Sequence, residues 1–472
     1  MSIFRLLLPA LGLSLTLTAQ ATTVVSGHIA GPAGTAVSVS YGPSRLTDVL
    51  MHRVKGQVDA KGDFRLELPT LTAPAEAIFA YGEETTTIYL APGDNLRLAL
   101  DPEKFDESLR YTGSALAANA NNYLAQAFLL FENHHEDTPL VQAATSTPAA
   151  MHELADRYRQ KRLAFLGSYA ASHPLAPAFR AYARQNIDFE WGSNLLYYPQ
   201  MHQRANAGAA VVLPISYFDF LKVVRPAQDS AQATGGRPFL DFLHAYATDG
   251  FAPLGHPTSG KALLATMSQQ FGTGATRDLA LTKYLLRQLA TVDAGTITLL
   301  LPDFQRTVHD SVLVQAVRTG YRKRLPLSAG SVAPAFTVQD GDGKPVNLAD
   351  FKGKVVCLDF WASWCHPCLA EIPATTLLKQ QFVGKDVVFL YISVDDKEAD
   401  WKKALTTHPL ASPNSVHTWA KGFESPTPSA YQIETIPAYL LIGRDGRIIT
   451  SHAPRPSAGE TAAAGITAAL LK

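Results

Sequence analysis

KVVCLDFWASWCHPC, residues 354–368, decides the fold of the C-terminal part of this chain of 472 residues. Residues 354–361 form an apolar run with the length of a buried strand, and a helix is predicted over residues 367–382. Cys365 and Cys368 therefore lie where a strand passes into a helix. The free N–H groups and the positive dipole of a helix N-terminus stabilise a thiolate, which predicts that Cys365, the more exposed thiol, is the nucleophile. Cys368, one turn further along, is placed to attack a mixed disulfide at Cys365.

Two other interpretations of the cysteine pair are half of a metal site and a chance pairing. A zinc site needs further Cys or His ligands, and the sequence offers neither a second Cys-x-x-Cys nor a clustered histidine partner. His134, His135 and Glu136 could suggest a metal site, but adjacent histidines project differently and no further ligand is identifiable. We predict no metal site, and no cofactor beyond a redox-active Cys365–Cys368 disulfide.

The segments around the motif alternate between strand and helix. We predict hairpins over residues 336–348 and 438–450, a buried strand over residues 387–394, and a final helix with a capping box from Ser457 and Glu460 that runs to Lys472. This pattern indicates a central sheet with helices on both faces over residues 331–472. The Pro-, Ser- and Gly-containing stretch 325–334 is predicted to be a linker.

Two regions of different character precede this part. Residues 23–100 contain short β-rich runs separated by turn-forming residues, which predict an antiparallel β-domain over residues 22–113. Residues 114–325 show helical periodicity, with Thr147 as one N-cap, and predict an all-α region. Aromatic residues at helical spacing there, such as Trp191, Tyr197 and Tyr198, are expected in its core. The predicted fold is therefore multidomain.

The N-terminus and the composition indicate export. Residues 1–21 contain Arg5, an apolar run over residues 6–17, and then Ala19-Gln20-Ala21, which is the pattern of a cleaved signal peptide; an uncleaved anchor is the alternative. The first cysteine is Cys357, so the protein is not expected to be a lipoprotein, and we expect it to be soluble in the periplasm. Lys plus Arg and Asp plus Glu both total 41, so nucleic acid is not an expected partner.

The redox motif becomes specific when its neighbours are included. The sequence VCLDFWASWCHPC at 356–368, followed by EIP at 371–373, resembles the TlpA/ResA branch of the thioredoxin superfamily, over about residues 330–472. The resemblance implies a thioredoxin-like α/β fold and thiol-disulfide oxidoreductase activity. More faintly, residues 23–124, with YLAPGD at 89–94 and YTGS at 111–114, are similar to the β-domain that precedes TlpA-like domains in exported proteins of Bacteroidota-type bacteria.

The same resemblance implies roles for two further residues. Asp359 matches a buried acid that exchanges a proton with the resolving Cys368; a hydrogen-bonded structural Asp is the alternative. Pro437, after Ile436, matches a cis-proline that faces the cysteine pair and leaves backbone free for an extended substrate; an ordinary trans proline is the alternative.

Residues beside the cysteines complete the predicted site. The predicted substrate-binding surface consists of Trp364, His366, Pro367, Ile436 and Pro437. Glu371 matches the family's acidic position and is a candidate for tuning the thiols, or is an exposed residue in a surface ion pair. His366 stands where thioredoxin has Gly and is expected to make the disulfide more oxidising, or to have no effect. Cys357, inside the strand, is expected to be a buried inert thiol.

These observations favour a thiol-disulfide oxidoreductase that reduces disulfides of exported proteins, as a reductase or in cytochrome maturation. The implied partners are exported proteins with cysteines or disulfides and a membrane electron donor, and the oligomeric state is left open. A thiol peroxidase is one alternative, but Leu358 and Ala362 stand where peroxiredoxins need Pro and Thr. A non-catalytic binding protein with a vestigial thioredoxin domain is the other; the retained cysteine pair, Asp359 and Pro437 argue against it.

Overall fold

A computed structural model of the chain describes residues 22–42, 51–132, 138–206, 210–224, 236–247, 257, 259–292 and 294–471. These residues belong to two compact units, residues 1–225 with 230–250 and residues 226–229 with 251–472. The division falls inside the predicted helical region, and the predicted domain boundaries stay predictions. The predicted signal peptide, residues 1–21, and the run His134, His135 and Glu136 lie outside the described residues. No helix of the described part is both long and apolar enough to cross a membrane.

The first unit begins with two four-stranded sheets. Their strands are β1 (Thr23–Ile29), β2 (Ala36–Tyr41), β3 (His52–Gln57), β4 (Asp63–Leu68), β5 (Ala75–Tyr81), β6 (Glu84–Leu90), β7 (Asn95–Leu100) and β8 (Arg110–Gly113). The sheet orders are β4-β1-β7-β8 and β3-β2-β5-β6. Buried and exposed residues alternate strictly along β4 and β7, because one face of each strand packs on a core that both sheets share.

The predicted antiparallel β-domain is confirmed, with one difference. Every strand pair in the two sheets is antiparallel except β1 with β7, where Val25 lies opposite Leu96 in a parallel register. These two strands are separated by five other strands in sequence, so no tight turn constrains their relative direction.

The helices of the first unit follow the β-domain. They are α1 (Phe105–Ser108), α2 (Ala115–Ala127), α3 (Pro148–Ser172), α4 (Pro177–Ala205) and α5 (Arg237–Ala245). The predicted cap is present, because the Thr147 hydroxyl accepts a hydrogen bond from the Ala150 N–H at 3.2 Å and Pro148 opens the helix. Trp191 and Tyr198 are buried as predicted, whereas Tyr197 is half-buried.

In the part of the second unit that the structure describes, four more α-helices precede the C-terminal α/β domain. The helices are α6 (Gly260–Gln270), α7 (Ala275–Thr291), α8 (Ala294–Thr307) and α9 (Ser311–Arg324). The domain comprises β9 (Thr337–Asp340), β10 (Pro345–Asn347), β11 (Val355–Trp361), α10 (His366–Ala370), α11 (Ile372–Gln381), β12 (Val387–Ser393), α12 (Glu398–Thr407), β13 (Ser415–Trp419), α13 (Pro426–Ala430), β14 (Ala438–Ile442), β15 (Ile448–Thr450) and α14 (Glu460–Leu470).

The sheet of this domain has the order β10-β9-β13-β12-β11-β14-β15, with β11, β12 and β13 parallel. All seven residues of β12 are buried, which requires cover on both faces of the sheet, as predicted. Both predicted hairpins are present, β9 with β10 and β14 with β15. The thioredoxin-like fold class is therefore confirmed.

Two local predictions are wrong. The helix expected over residues 367–382 is two helices, α10 and α11, since Pro373 has no N–H to donate and its ring obstructs the carbonyl four residues earlier. Ser457 does not cap the last helix, which begins at Glu460 after Gly459. The linker over residues 325–334 stays a prediction; this stretch packs against the C-terminal domain, because Leu327 is buried in its core and Val332 forms a β-bridge with Arg447.

Candidate active site

Cys365 and Cys368 form a disulfide at the start of α10. Cys365 is the N-cap, and its Sγ accepts a hydrogen bond from the Cys368 N–H at 3.2 Å. The backbone thus places a donor directly on the sulfur that is predicted to be the nucleophile, and this donor would stabilise a thiolate there. The expected difference in exposure is not found in the disulfide form, in which Cys365 is 4% and Cys368 is 6% exposed.

The residues beside the disulfide, here called the rim, are accessible to solvent. Trp364 is 57% exposed, and His366 and Pro367 are exposed as well. The Trp364 ring lies 6.3 Å from the ring of Phe423, a half-buried residue that the sequence did not single out. An exposed aromatic side chain next to a buried sulfur pair offers apolar area to a docking polypeptide.

Ile436 and Pro437 lie at the same end of β11 as the redox motif. Ala438, the first residue of β14, pairs with Phe360, one residue from the end of β11. The Ile436–Pro437 peptide bond is cis, as the resemblance implies, and both residues are half-buried. The structure therefore brings the predicted substrate-binding residues to one edge of the sheet.

Asp359 projects from β11 between two tyrosines, since Tyr391 on β12 and Tyr439 on β14 are its partners in register. Its Oδ1 is shut off from solvent and accepts no hydrogen bond from any described residue. Burial, and secondarily the negative charge of Glu371, raises the pKa of Asp359 to about 8, while the charge of Lys379 acts in the opposite direction. A carboxyl group with such a pKa can hold or release a proton near neutral pH.

Asp359 also lines a cavity of about 190 Å³ beneath the sheet. The cavity is almost entirely apolar and includes Cys357, two residues earlier on the same face of β11. Burial raises the pKa of the Cys357 thiol, and Cys357 is the free cysteine of the described chain. A protonated thiol in an apolar cavity is a weak nucleophile, in agreement with the expected inert role.

Lys379 is a buried cation that sequence reasoning missed. Its side chain, on α11, is only 2% exposed, and its Nζ donates to the Leu410 carbonyl and lies 5.4 Å from the centre of the Tyr391 ring. Burial lowers the pKa of Lys379 to about 8, whereas the nearby Asp359 acts to raise it. Asp359, Glu371 and Lys379 thus form a set of ionisable groups in the interior of the domain, and Asp359 responds to the charges of the other two.

Glu371 is buried, so the alternative of an exposed residue in a surface ion pair is wrong. Its Oε2 accepts the Ser457 N–H at 2.9 Å and its Oε1 accepts the Ser457 hydroxyl at 2.8 Å. Arg455 Nη1 lies 4.0 Å from Oε1. Ser457 is therefore engaged by Glu371 instead of capping α14, and this contact joins the end of α10 to the segment before the last helix.

Asp395 is a second buried acid that the sequence did not reveal. It follows β12 and binds Ser363, which lies two residues before Cys365. Neighbouring parallel strands end at the same edge of a sheet. The position of Asp395 just after a buried strand could therefore have indicated that it lies near the redox motif. Within the described residues no group of three or more His, Cys, Asp or Glu side chains is arranged to hold a metal ion.

Comparisons with known proteins agree with this geometry. A family model described as Redoxin matches residues 328–468. The thiol-disulfide oxidoreductase ResA of Bacillus thuringiensis subsp. konkukian is 33% identical over 129 residues, which cover 27% of this chain and 72% of that protein. ResA of Bacillus subtilis is 28% identical over 123 residues, 26% of this chain and 66% of that protein.

Among solved structures, the chain is similar to the thioredoxin domain of a thiol-disulfide oxidoreductase from Bacteroides vulgatus. The two share 32% sequence identity, with a TM-score of 0.27 and coverage of 30% of this chain and 97% of that chain.

Proposed function

The chain belongs to the TlpA/ResA-like branch of the thioredoxin superfamily and is a thiol-disulfide oxidoreductase, and we propose that it reduces disulfides of exported proteins through Cys365 and Cys368. The observation that carries this proposal is the disulfide at the start of α10 with the exposed Trp364 and His366 beside it. A protein substrate can dock on this rim, together with Ile436 and Pro437, while the sulfurs are kept from bulk water.

The proposed reaction has two exchange steps. The Cys365 thiolate attacks one sulfur of a substrate disulfide, which forms a mixed disulfide and releases the other substrate sulfur as a thiolate. Cys368 then gives its proton to Asp359 and attacks Cys365 Sγ, so that the internal disulfide forms and the second substrate thiolate leaves. Two electrons pass to the substrate, whose sulfurs take up two protons. A dithiol donor, which we propose to be a membrane protein, restores the Cys365 and Cys368 thiols.

Catalysed reduction of insulin by dithiothreitol tests the proposed activity. We expect the full chain to accelerate the reaction and Cys365→Ser to return it to the uncatalysed rate, because the attacking sulfur is gone. Cys357→Ser is the matched control, since it removes the thiol of β11, which is not part of the Cys365–Cys368 disulfide, and should keep the wild-type rate. A Cys365→Ser variant as active as wild type would exclude the proposed mechanism.

We also propose that the protein works in the periplasm. The support is the sequence of residues 1–21, with its apolar run and its small residues at Ala19 and Ala21. Expression of the full chain followed by fractionation and N-terminal sequencing should recover a periplasmic protein that begins at Thr22. Ala21→Leu should accumulate the uncleaved precursor. Recovery of wild-type protein that retains Met1 in the cytoplasm would contradict the proposal.

A further inference from the structure

The loop that leads into the redox motif is held by a buried carboxylate, that of Asp395. Strands β11 and β12 run parallel, with Trp361 opposite Ser393, so both chains leave the sheet at the same edge. The β11 chain continues into Ser363 and Cys365, and the β12 chain continues into Asp395. The Asp395 side chain is 1% exposed and therefore has little water to stabilise its charge.

The protein supplies hydrogen bonds in place of that water. The Ser363 N–H donates to Oδ1 and Oδ2 of Asp395 at 3.2 and 3.0 Å, and the Ser363 hydroxyl donates to Oδ1 at 2.6 Å. The Ser393 hydroxyl donates to Oδ2 at 2.7 Å. Both carboxyl oxygens accept hydrogen bonds from Ser363, and Oδ2 accepts a further one from Ser393.

The backbone of Asp395 is fixed as well. Its N–H donates to the Ser393 hydroxyl at 3.0 Å, and its carbonyl accepts from the indole Nε1 of Trp419 at 2.6 Å. The side chain can therefore not swing away from Ser363 without breaking several bonds. This arrangement transmits a fixed geometry from β12 and β13 to the loop that carries Cys365.

The charge of Asp395 is not neutralised by a salt bridge. Within the described part of the chain no Lys, Arg or His nitrogen lies within ion-pairing distance of its carboxylate. Ser363, which binds the carboxylate, is two residues from Cys365, and the Cys365 N–H bonds back to the Ala362 carbonyl at 3.1 Å. Asp395 thus holds a negative charge against the residue two positions before Cys365, and a buried charge placed there disfavours a second negative charge on Cys365 Sγ.

We propose that Asp395 is a positioning residue that holds the motif through Ser363 and whose charge makes the disulfide harder to reduce. A thiolate at Cys365 carries a charge that Asp395 repels, whereas the disulfide is neutral. Asp395 therefore shifts the equilibrium towards the disulfide and makes the reduced protein the stronger electron donor. The inference rests on the proposed function and adds a residue whose charge favours the proposed direction of electron flow, from this protein to its substrate.

The equilibrium with glutathione tests this inference in the full chain at pH 8. One disulfide and two reduced glutathione molecules give the Cys365 and Cys368 thiols and one oxidised glutathione. We expect Asp395→Asn to shift the equilibrium constant about tenfold towards the thiols, which corresponds to about 30 mV. Ser363→Ala, which removes a hydroxyl but keeps the charge, is the matched control and should stay within about threefold of wild type.

The outcomes separate this inference from the proposed function. A folded Asp395→Asn protein with an unchanged constant would overturn the role of its charge, and so would an equal, tenfold shift in Ser363→Ala. Failure of the wild-type protein to equilibrate with glutathione would overturn the proposed function and this inference together. Should Asp395→Asn not fold, Ser363→Ala and Ser393→Ala carry the test, because each keeps the charge. The equilibrium constants of these two variants with glutathione should stay within about threefold of the wild-type constant. A tenfold shift in either would contradict the inference.

Discussion

Replacing Asp359 by Asn should stabilise the C-terminal α/β domain that carries the cysteine pair, here called the redox unit, by an amount that grows with pH. In the folded protein burial raises the pKa of Asp359 from 3.8 to about 8, so the carboxyl holds a proton that the unfolded chain releases above about pH 4. A group whose pKa is higher in the folded than in the unfolded protein makes its full contribution to stability when the pH is below its pKa in the unfolded chain. This contribution is lost as the pH rises towards its pKa in the folded protein. Asn is neutral at every pH and therefore avoids this loss.

The size of the effect follows from the pKa difference. At about 1.4 kcal/mol per pH unit, the change from 3.8 to about 8 corresponds to at most ~6 kcal/mol. The carboxyl group lines a cavity and has the charge of Lys379 nearby, and these two features reduce the stability that is lost when the carboxyl group ionises. We therefore expect a gain of about 2–4 kcal/mol in the free energy of unfolding at pH 8.5 and below about 0.5 kcal/mol at pH 4.

Urea unfolding of the oxidised full chain, followed by tryptophan fluorescence, measures this gain. Four of the five tryptophans lie in the redox unit, at positions 361, 364, 401 and 419, so the signal reports mainly on that unit. Asp342→Asn, at an exposed turn of the same unit, is the matched control and should change stability by less than about 0.5 kcal/mol at either pH. A gain for Asp359→Asn that is equal at pH 4 and pH 8.5, or a loss of stability at pH 8.5, would refute this reasoning.

Three further predictions concern the same site. Asp359→Asn should slow resolution of the mixed disulfide more than its formation, and stopped-flow rates that leave resolution unchanged from pH 6 to 9 would give Asp359 a structural role. Glu371→Gln should lower the pKa of Asp359, because a like charge is removed. It should also destabilise the unit by about 1–2 kcal/mol, because its hydrogen bonds to Ser457 become weaker. A series of thermal-unfolding curves at different pH values that matches wild type would contradict this. His366→Gly should make the reduction potential more negative, by about 10–30 mV, because it removes a side chain that can place positive charge beside the thiolate; redox titrations with identical potentials would show His366 to have no effect.

Local patterns in the sequence predicted the parts of the fold that local forces determine. The hairpins follow from their Gly- and Asp-containing turns, and the strand-to-helix junction at Cys365 follows from an apolar run ahead of a proline-containing helix start. Asp359 could be identified because an acid within a buried strand is costly unless it has a function or a partner. Each of these conclusions depends on residues that are close together in sequence.

The missed features depend on contacts between distant segments. Ser457 and Glu460 fit a capping box, but Ser457 binds Glu371, 86 residues away in sequence, with both its N–H and its hydroxyl. Lys379 and Asp395 stand in a helix and after a strand, where charged residues are usually exposed. Their burial follows from how α11 packs on the sheet and how β11 and β12 end together, and no local pattern encodes either arrangement.

Mapping the mixed disulfide formed by Cys368→Ser shows directly whether Cys365 is the nucleophile. The variant keeps the predicted nucleophile but has no resolving thiol, so incubation with an oxidised peptide substrate should trap a covalent adduct. Mass spectrometry of the proteolysed adduct should find the substrate cysteine joined to Cys365 and not to Cys357. An adduct on Cys357, or no adduct under conditions in which the wild-type protein reduces the same substrate, would contradict the proposed role of Cys365 as the attacking sulfur.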